Sequence, residues 1–332
     1  MGKKAFIFGG LVVGLLVLAV LDVCCGSVWL SPGEIIHSDS AVVDGVFFYL
    51  RLPKMLTAIL AGVALSVSGM MMQTLFRNPL AGPYILGVSS GASLGVAVVT
   101  MLGVQLAMVF PDTPINSQLG IAGAAIIGSL AVLLLMLAVA RKVRDNVSLL
   151  IVGMMFGAIA GALVNVLQNI SNPDALKVFV VWTLGSLSNV GWSQLGVLSA
   201  IVAVGMIIAL GLMKPLNGLL LGENYARGIG INIERVRVCI VTATGLLAGG
   251  VTAFCGPIAF VGVAVPHIAR GLMGTSNHRQ VLPASALIGA NLLLVCDILC
   301  SISTYPLPIS TMSALFGAPI IIWIIVRKKL DN

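Results

Sequence analysis

The sequence predicts an all-α protein built of about ten membrane-crossing helices, and three observations carry that expectation. Of the 332 residues, 59% are hydrophobic and only 9% charged, with a mean hydropathy of +1.11; such a chain has too little polar surface to cover a globule of this length in water. Apolar windows of about 20 residues, enough for a helix to cross the hydrocarbon core, recur from one end to the other. The Lys and Arg residues also gather on alternate loops, as they do in a polytopic chain.

The windows place crossings at 5–23, 55–75, 85–109, 118–140, 148–168, 193–213, 236–255, 257–273, 281–301 and 308–326. A further apolar piece, 176–188, is too short to span. It reads as a re-entrant or interfacial helix, which membrane depth tolerates only where protein or water covers its ends. No stretch between the crossings is long enough for a sizeable soluble domain, so 1–332 is read as a single transmembrane domain.

With the N-terminus on the cytoplasmic side, all 18 Lys and Arg residues except Arg51, Lys54 and Lys177 fall on inner loops or ends. Glu34, Asp39, Asp44, Asp112 and Asp174 make the outer loops acidic. Positive loops are retained inside, so both termini are expected to be cytoplasmic. The net charge of +7 follows from this bias and is not a sign of nucleic-acid binding. Lys3 and Lys4 before the first apolar run could open a signal peptide, but Asp22, Cys24 and Cys25 follow in place of a small-residue cleavage site. That helix is expected to be retained. Cys24, Cys25, Cys239, Cys255, Cys296 and Cys300 form no C-x-x-C pair, and Cys296 with Cys300, one turn apart, reads as packing and not as a metal site.

Sliding the chain against itself by 187 residues brings Leu60-Ala61-Gly62 onto Leu247-Ala248-Gly249, Gly69 onto Gly256, Pro79 onto Pro266 and Gly87 onto Gly274. The helices concerned run in opposite directions, so an inverted internal repeat is expected, with a pathway between its halves. Gly87, Gly91 and Gly95, and Gly153, Gly157 and Gly161, form small-xxx-small stripes that let helix backbones approach closely. Asp297 is the one acid well inside a predicted helix, too little to carry a coupling ion with assurance, so an energy source outside this chain is expected. Paired acids, H-E-x-x-H and a Ser with a partnered His or Lys are missing from the helices, which argues against an intramembrane enzyme.

Three polar islands interrupt the apolar text. The first is Arg51-Leu-Pro-Lys54 at the outer start of the second helix, where two cations stand against the positive-inside bias and call for acidic partners or headgroups. Arg77-Asn-Pro-Leu-Ala81 and Gly87-Val-Ser-Ser-Gly91 follow around the next inner turn. The second island is the long inner loop 214–237, in which Glu223 to Arg227 fits a short helix ended by Gly228 or Gly230. Its apolar Leu219, Leu220, Leu221, Ile229 and Ile231 suit docking better than solvent. The third runs through Gly256-Pro-Ile-Ala-Phe-Val-Gly262 to Pro266-His-Ile-Ala-Arg270. His267 has no metal-ligating company, so Pro266, His267 and Arg270 are read as a structural helix-end motif.

In their order and spacing, R-L-P-K at 51, R-N-P-L-A at 77, L-G-V-S-S-G-A at 86, L-G-E-x-x-A-R-x-x-G at 221, F-V-G at 260, P-H-I-A-R at 266 and L-F-G-A-P at 315 resemble the FecCD-type permeases, over nearly the whole chain. Those are the membrane subunits of ATP-binding-cassette importers for iron siderophores, haem and vitamin B12. The resemblance implies a type II importer permease architecture, a second copy of the chain with the pathway between copies, two cytoplasmic ATPase subunits and a periplasmic substrate-binding protein. It assigns ATPase coupling to Leu221, Gly222, Glu223, Ala226, Arg227, Gly228 and Gly230, and the inner constriction to Asn78, Pro79, Leu80, Ala81, Asn146 and Val147. Docking of the binding protein would fall to Arg51 and Lys54. An arginine often found after the Asp of the ninth helix has no counterpart, since Asp297 is followed by Ile298, Leu299, Cys300 and Ser301. The implied function is transport, not catalysis: inward passage of a metal chelate, an iron siderophore or haem, across the inner membrane by alternating access, with vitamin B12 as the alternative cargo. ATP and Mg would sit on the partner ATPase, and no cofactor or metal in this chain.

Overall fold

Helices fill the chain because lipid offers backbone N–H and C=O groups no partner except each other. The computed structural model describes residues 2–26, 29–31, 33, 41–103, 117–143, 145–303, 305 and 307–330. Glu34, Asp39, Asp112, Arg144 and the 104–109 end of the third expected crossing lie outside the described residues. In chain order the helices are α1 (Gly2–Cys24), α2 (Ala41–Val46), α3 (Leu52–Phe76), α4 (Val88–Met101), α5 (Gln118–Lys142), α6 (Asn146–Ile170), α7 (Pro173–Thr183), α8 (Trp192–Gly211), α9 (Met213–Leu220), α10 (Glu223–Gly228), α11 (Ile233–Cys255), α12 (Val261–Met273), α13 (His278–Ile302) and α14 (Ile309–Leu330). Among the described residues seven helices are long and apolar enough to cross a bilayer, and α4, α12 and the Ile309–Ile322 part of α14 are shorter apolar helices, so each expected crossing has its helix.

Polar residues set the starts. Ser117, Asp145, Asn172, Asn232 and Asn277 each accept a backbone N–H of the first turn they precede. The short helix expected at 176–188 is α7. Beyond it Gly185 turns with φ +74°, and the N–H of Ser186 donates to the Cys255 carbonyl at 2.9 Å, so protein covers its end.

Two expected crossings are shorter than the hydropathy suggested. α4 begins only at Val88, after a 3₁₀ turn (Pro83–Leu86) ended by Gly87 at φ +73°, and its 14 residues reach about 21 Å of the roughly 30 Å core. α12 begins at Val261, because Gly256 at φ +73° ends α11 and Phe260 precedes α12 in the left-handed conformation at φ +65°. The two irregular segments meet inside the protein. Tyr84 Oη donates to the Ile258 carbonyl at 2.5 Å and accepts the Ile258 N–H at 3.3 Å, so one hydroxyl serves both backbone groups of a residue with no solvent exposure.

The order long helix, break, short helix, 25-residue helix thus occurs twice, as α3–α4–α5 and as α11–α12–α13. The residue register expected from the 187-residue shift is a different matter. It pairs Pro79, in a turn, with Pro266, inside α12, and Gly69, within α3, with Gly256, the residue that ends α11. The architecture repeats, whereas that register collects coincidences of small residues in a glycine-rich chain.

Side-chain bonds assign the helix ends to two faces. Lys4 Nζ reaches Gln280 Oε1 (2.7 Å), Asn217 Nδ2 reaches Asn277 Oδ1 (3.0 Å), and His267 Nε2 reaches the Pro79 carbonyl (2.8 Å) on what we call the basic face. On the opposite face Lys54 meets Asp297, and the Trp192 indole donates to the Phe48 carbonyl at 2.8 Å.

α3 and α11 form the centre: 78% and 72% of their spanning windows are buried, against 11% for α1. Glycine makes that position possible. A Cβ on Gly62 would overlap the Gly289 backbone of α13, and one on Gly69 would overlap the Gly262 carbonyl of α12. That carbonyl is the one Pro266, lacking an N–H, leaves without its intrahelical donor. Gly91 of the first expected stripe likewise meets Gly128, while Gly161 of the second faces open space. Replacing Gly69→Leu is therefore expected to destabilise the protein by about 3 kcal/mol, the upper range for overpacking, whereas Gly161→Leu should leave stability unchanged. Thermal unfolding in detergent measures both, and equal midpoints would refute the close-approach account.

Candidate coupling and gating site

The long basic-face loop folds as the short helices α9 and α10, joined at Leu221-Gly222. Gly222 takes φ +117°, open to glycine alone, and reverses the chain so that Ala226 is fully buried. Gly218 leaves room for Ile231, whose Cδ1 a Cβ there would strike. Of the apolar residues expected to dock, Leu219 and Ile231 turn inward, while Leu220, Leu221 and Ile229 stay exposed together with Tyr225. Arg227, Gly228 and Gly230 are exposed, the last at φ +85°.

Glu223, at the start of α10, is the hub. Its Oε1 accepts from Asn146 Nδ2 at 2.7 Å and lies 3.7 Å from the Arg237 guanidinium; its Oε2 lies 3.8 Å from exposed Arg227. The Arg227 pair contributes little, being solvated and one helical turn apart. Arg237 is 1% exposed and also donates to the Val143 carbonyl at 2.7 Å, so Glu223 supplies countercharge to a cation that water does not reach. Asn146 donates as well to the Leu75 carbonyl at 2.7 Å, in the last turn of α3. Asp145 just before it accepts the Ser148 N–H at 2.7 Å, which holds its carboxyl below the usual carboxylate range. One carboxylate thereby joins α10, the start of α6, the end of α3 and α11. The bridge from Glu223 to Asn146 is invisible in sequence, where the two residues stand 77 positions apart.

The expected constriction segment begins where α3 stops. Arg77 takes the left-handed conformation at φ +48°, and its guanidinium reaches the Leu219 carbonyl of α9 at 3.5 Å. Asn78 organises the next turn: its Oδ1 accepts the Leu80 N–H at 2.9 Å and its carbonyl the Ala81 N–H at 3.0 Å. Ala81 is buried, Pro79 and Leu80 are exposed, and Val147 is 67% exposed beside Asn146. His267 donates through Nε2 to the Pro79 carbonyl at 2.8 Å, which requires a proton on Nε2 because the acceptor has none to give. Arg270 donates to Gln73 Oε1 at 2.8 Å, and Gln73 Nε2 donates to the Val263 carbonyl at 3.0 Å. With the Gly262 carbonyl that Pro266 leaves without a donor lying against Gly69, the helix-end motif ties α12 to α3 and to the Asn78–Ala81 segment.

On the opposite face Arg51 and Lys54 turn inward. Arg51 donates to the carbonyls of Val23 and Cys24 at 2.7 and 2.8 Å, covering the end of α1. Lys54 Nζ lies 2.9 Å from Asp297 Oδ1 and donates to Ser301 Oγ at 2.7 Å. Ser301 belongs to the segment after Asp297 that lacks the expected arginine. Asp22, 5% exposed, joins the cluster, a participant the sequence reading missed. Two acids near one membrane depth and two cations at the same depth were the available signal.

Removing one partner of such a pair strands the other charge in a poorly solvated site. Lys54→Met is expected to destabilise by about 2–3 kcal/mol, less than the full penalty for a buried pair because the Lys54 side chain keeps 22% exposure. Lys54→Met with Asp297→Leu should recover most of that loss in thermal unfolding; a double variant as unstable as the single would show the pair to be irrelevant.

The FecCD transport family model matches residues 14–327. The vitamin B12 import system permease protein BtuC of Klebsiella pneumoniae subsp. pneumoniae is 36% identical over 322 residues, 96% of this chain and 93% of that one. The hemin transport system permease protein HmuU of Yersinia pestis is 35% identical over 331 residues, 98% of this chain and 97% of that one. A chain of a solved ABC transporter in an inward-facing conformation, described as of putative metal-chelate type, superposes with a TM-score of 0.85 at 32% identity, covering 97% of this chain and 99% of that one. Motif order, fold and sequence agree along the whole length, and the chain belongs to the FecCD transport family of ABC importer permeases.

Proposed function

We propose that the chain carries a bulky metal chelate inward across the bacterial inner membrane as one of two permease copies, each driven by a cytoplasmic ATPase subunit docked on α9 and α10. The observation that carries this reading is the double character of that knob. It offers an apolar face, Leu220, Leu221, Tyr225 and Ile229, to a partner. Through Glu223 it also grips Asn146 beside the constriction residues. A push on α10 therefore reaches α6 and the end of α3 through short, partly buried bonds, which is what alternating access asks of a transmission element.

The excess of Lys and Arg on the basic face supports a cytoplasmic placement of that face and, with it, of both termini. ATP and Mg belong to the ATPase partner. A periplasmic binding protein would meet the opposite face. To use Arg51 and Lys54 it has to compete with the Val23 and Cys24 carbonyls and with Asp297 for those cations. The cargo class rests on the relatives, which are named for vitamin B12, hemin and metal chelates, all bulky ligands around a metal centre. A proton-coupled carrier working through Asp297 is disfavoured by the 2.9 Å contact with Lys54, which already engages that carboxylate.

Reconstitution with its ATPase and binding protein, followed by uptake assays with a ferric siderophore, haem and vitamin B12 in parallel, tests the reading. Uptake of one chelate that requires ATP is expected; uptake driven by a proton gradient without ATP would sink the proposal. Glu223→Ala is expected to leave the ATPase bound while uptake per ATP hydrolysed falls about tenfold, the loss of roughly 1.4 kcal/mol of coupling. Leu221→Ser with Ile229→Ser should instead abolish co-purification of the ATPase. An Ala variant that couples as well as the parent would remove Glu223 from the transmission path.

A further inference from the structure

The basic-face end of α1 is poorly joined to its neighbour α12. α1 packs along α13, where Asn291 Nδ2 donates to the Leu11 carbonyl at 3.2 Å and Lys4 Nζ to Gln280 Oε1 at 2.7 Å. Towards α12 it leaves a cavity of about 290 Å³, lined by Lys3, Lys4 and Ile7 on one side and by Gly271 to Gly274 on the other. The α12 wall is open, because a Cβ built on Gly271 or Gly274 meets nothing within 4 Å.

The cavity is cationic at one end and apolar at the other. Lys4 gives one of its three N–H groups to a neutral amide, which brings it no countercharge. Among the described residues neither lysine has an ion pair, and neither donates to an α12 carbonyl. Ile7, Leu272 and Met273 supply the apolar lining. The carbonyl end of α12 contributes about half a negative charge, less than the two positive charges opposite it. Among the described spans α1 is the least buried, with only 11% of its window buried and Phe6, Val13 and Leu16 exposed.

We propose that this cavity binds the head of an anionic phospholipid, with its phosphate against Lys3 and Lys4 and the first methylenes of an acyl chain against Ile7 and Leu272. A soluble phosphate would satisfy the ammonium groups and leave the apolar wall wet; a zwitterionic lipid would cover the wall and bring its own cation to the lysines. The anionic lipid answers both ends at once. It fills the gap between α1 and α12 and so completes the seating of a helix that protein contacts hold on one side only.

The test uses the full-length chain purified in a neutral detergent, with lipid retention read by native mass spectrometry and thermal unfolding followed on addition of phosphatidylglycerol, phosphatidylcholine or inorganic phosphate. Phosphatidylglycerol alone is expected to be retained and to raise the unfolding midpoint. Lys3→Gln with Lys4→Gln should weaken its binding about twenty-five-fold, roughly fivefold per charge at a membrane surface. Gly271→Leu keeps both charges and fills the apolar wall, so it should weaken binding as well, and it carries the test if the lysine variant folds poorly. Lys142→Gln, an exposed cation at the basic-face end of α5 outside the cavity, should bind phosphatidylglycerol like the parent chain. Equal retention of phosphatidylcholine, equal protection by inorganic phosphate, or an equal loss in Lys142→Gln would each overturn the assignment.

Discussion

The structure turns on how closely α3 approaches α12 and α13. At Gly62 and Gly69 the facing backbones leave no room for a methyl group, so the central position of α3 exists only because those residues have no side chain. In lipid, apolar side chains gain nothing by leaving one apolar surface for another, and backbone proximity with its dispersion contacts has to supply the cohesion. Once seated, α3 runs from Lys54 and its buried carboxylates on one face to Leu75 and Arg77 on the other. The two polar centres of the molecule are the two ends of one close-packed rod.

Both centres follow a common logic of helix termination. Each helix leaves its last carbonyls without intrahelical donors, and near a membrane those carbonyls cannot be left dry and unpaired. Arg51 covers Val23 and Cys24 at the end of α1, Asn146 covers Leu75 in α3, Arg237 covers Val143 after α5, and His267 reaches Pro79. The donors come from distant positions, so finishing one helix fastens it to another. The carboxylates then supply the countercharge: Asp297 for Lys54, and Glu223 for Arg237.

This logic explains what the sequence discloses and what it withholds. Hydropathy locates the crossings because satisfaction within each helix is local, and Asn172, Asn232 and Asn277 mark helix starts because an N-cap is local too. Hydropathy reads the short helices α4 and α12 as full spans, since Ile85 and Leu86 and the stretch Pro257 to Phe260 are apolar enough to pass for helix; only the contact of Tyr84 with Ile258 shows why irregular backbone survives there. Arg51 and Lys54 were visible as cations on the wrong side, but nothing local names Asp297 as the partner of Lys54 or the α1 carbonyls as partners of Arg51. In the inner loop 214–237 the sequence discloses a short helix at Glu223 to Arg227 and an apolar surplus, yet which leucines turn outward is decided by the turn at Gly222.

Arg77 ends α3 in the left-handed conformation. A non-glycine residue in the left-handed well stands about 1–2 kcal/mol above its relaxed backbone, and Arg77 occupies it at the joint between the rod α3 and the segment Asn78 to Ala81. The long bond from its guanidinium to the Leu219 carbonyl is a thin return on that cost. Any rearrangement that lets Arg77 leave the left-handed well regains the difference. The joint thus holds its backbone cost on the side of the molecule where the knob sits, one long hydrogen bond away from α9.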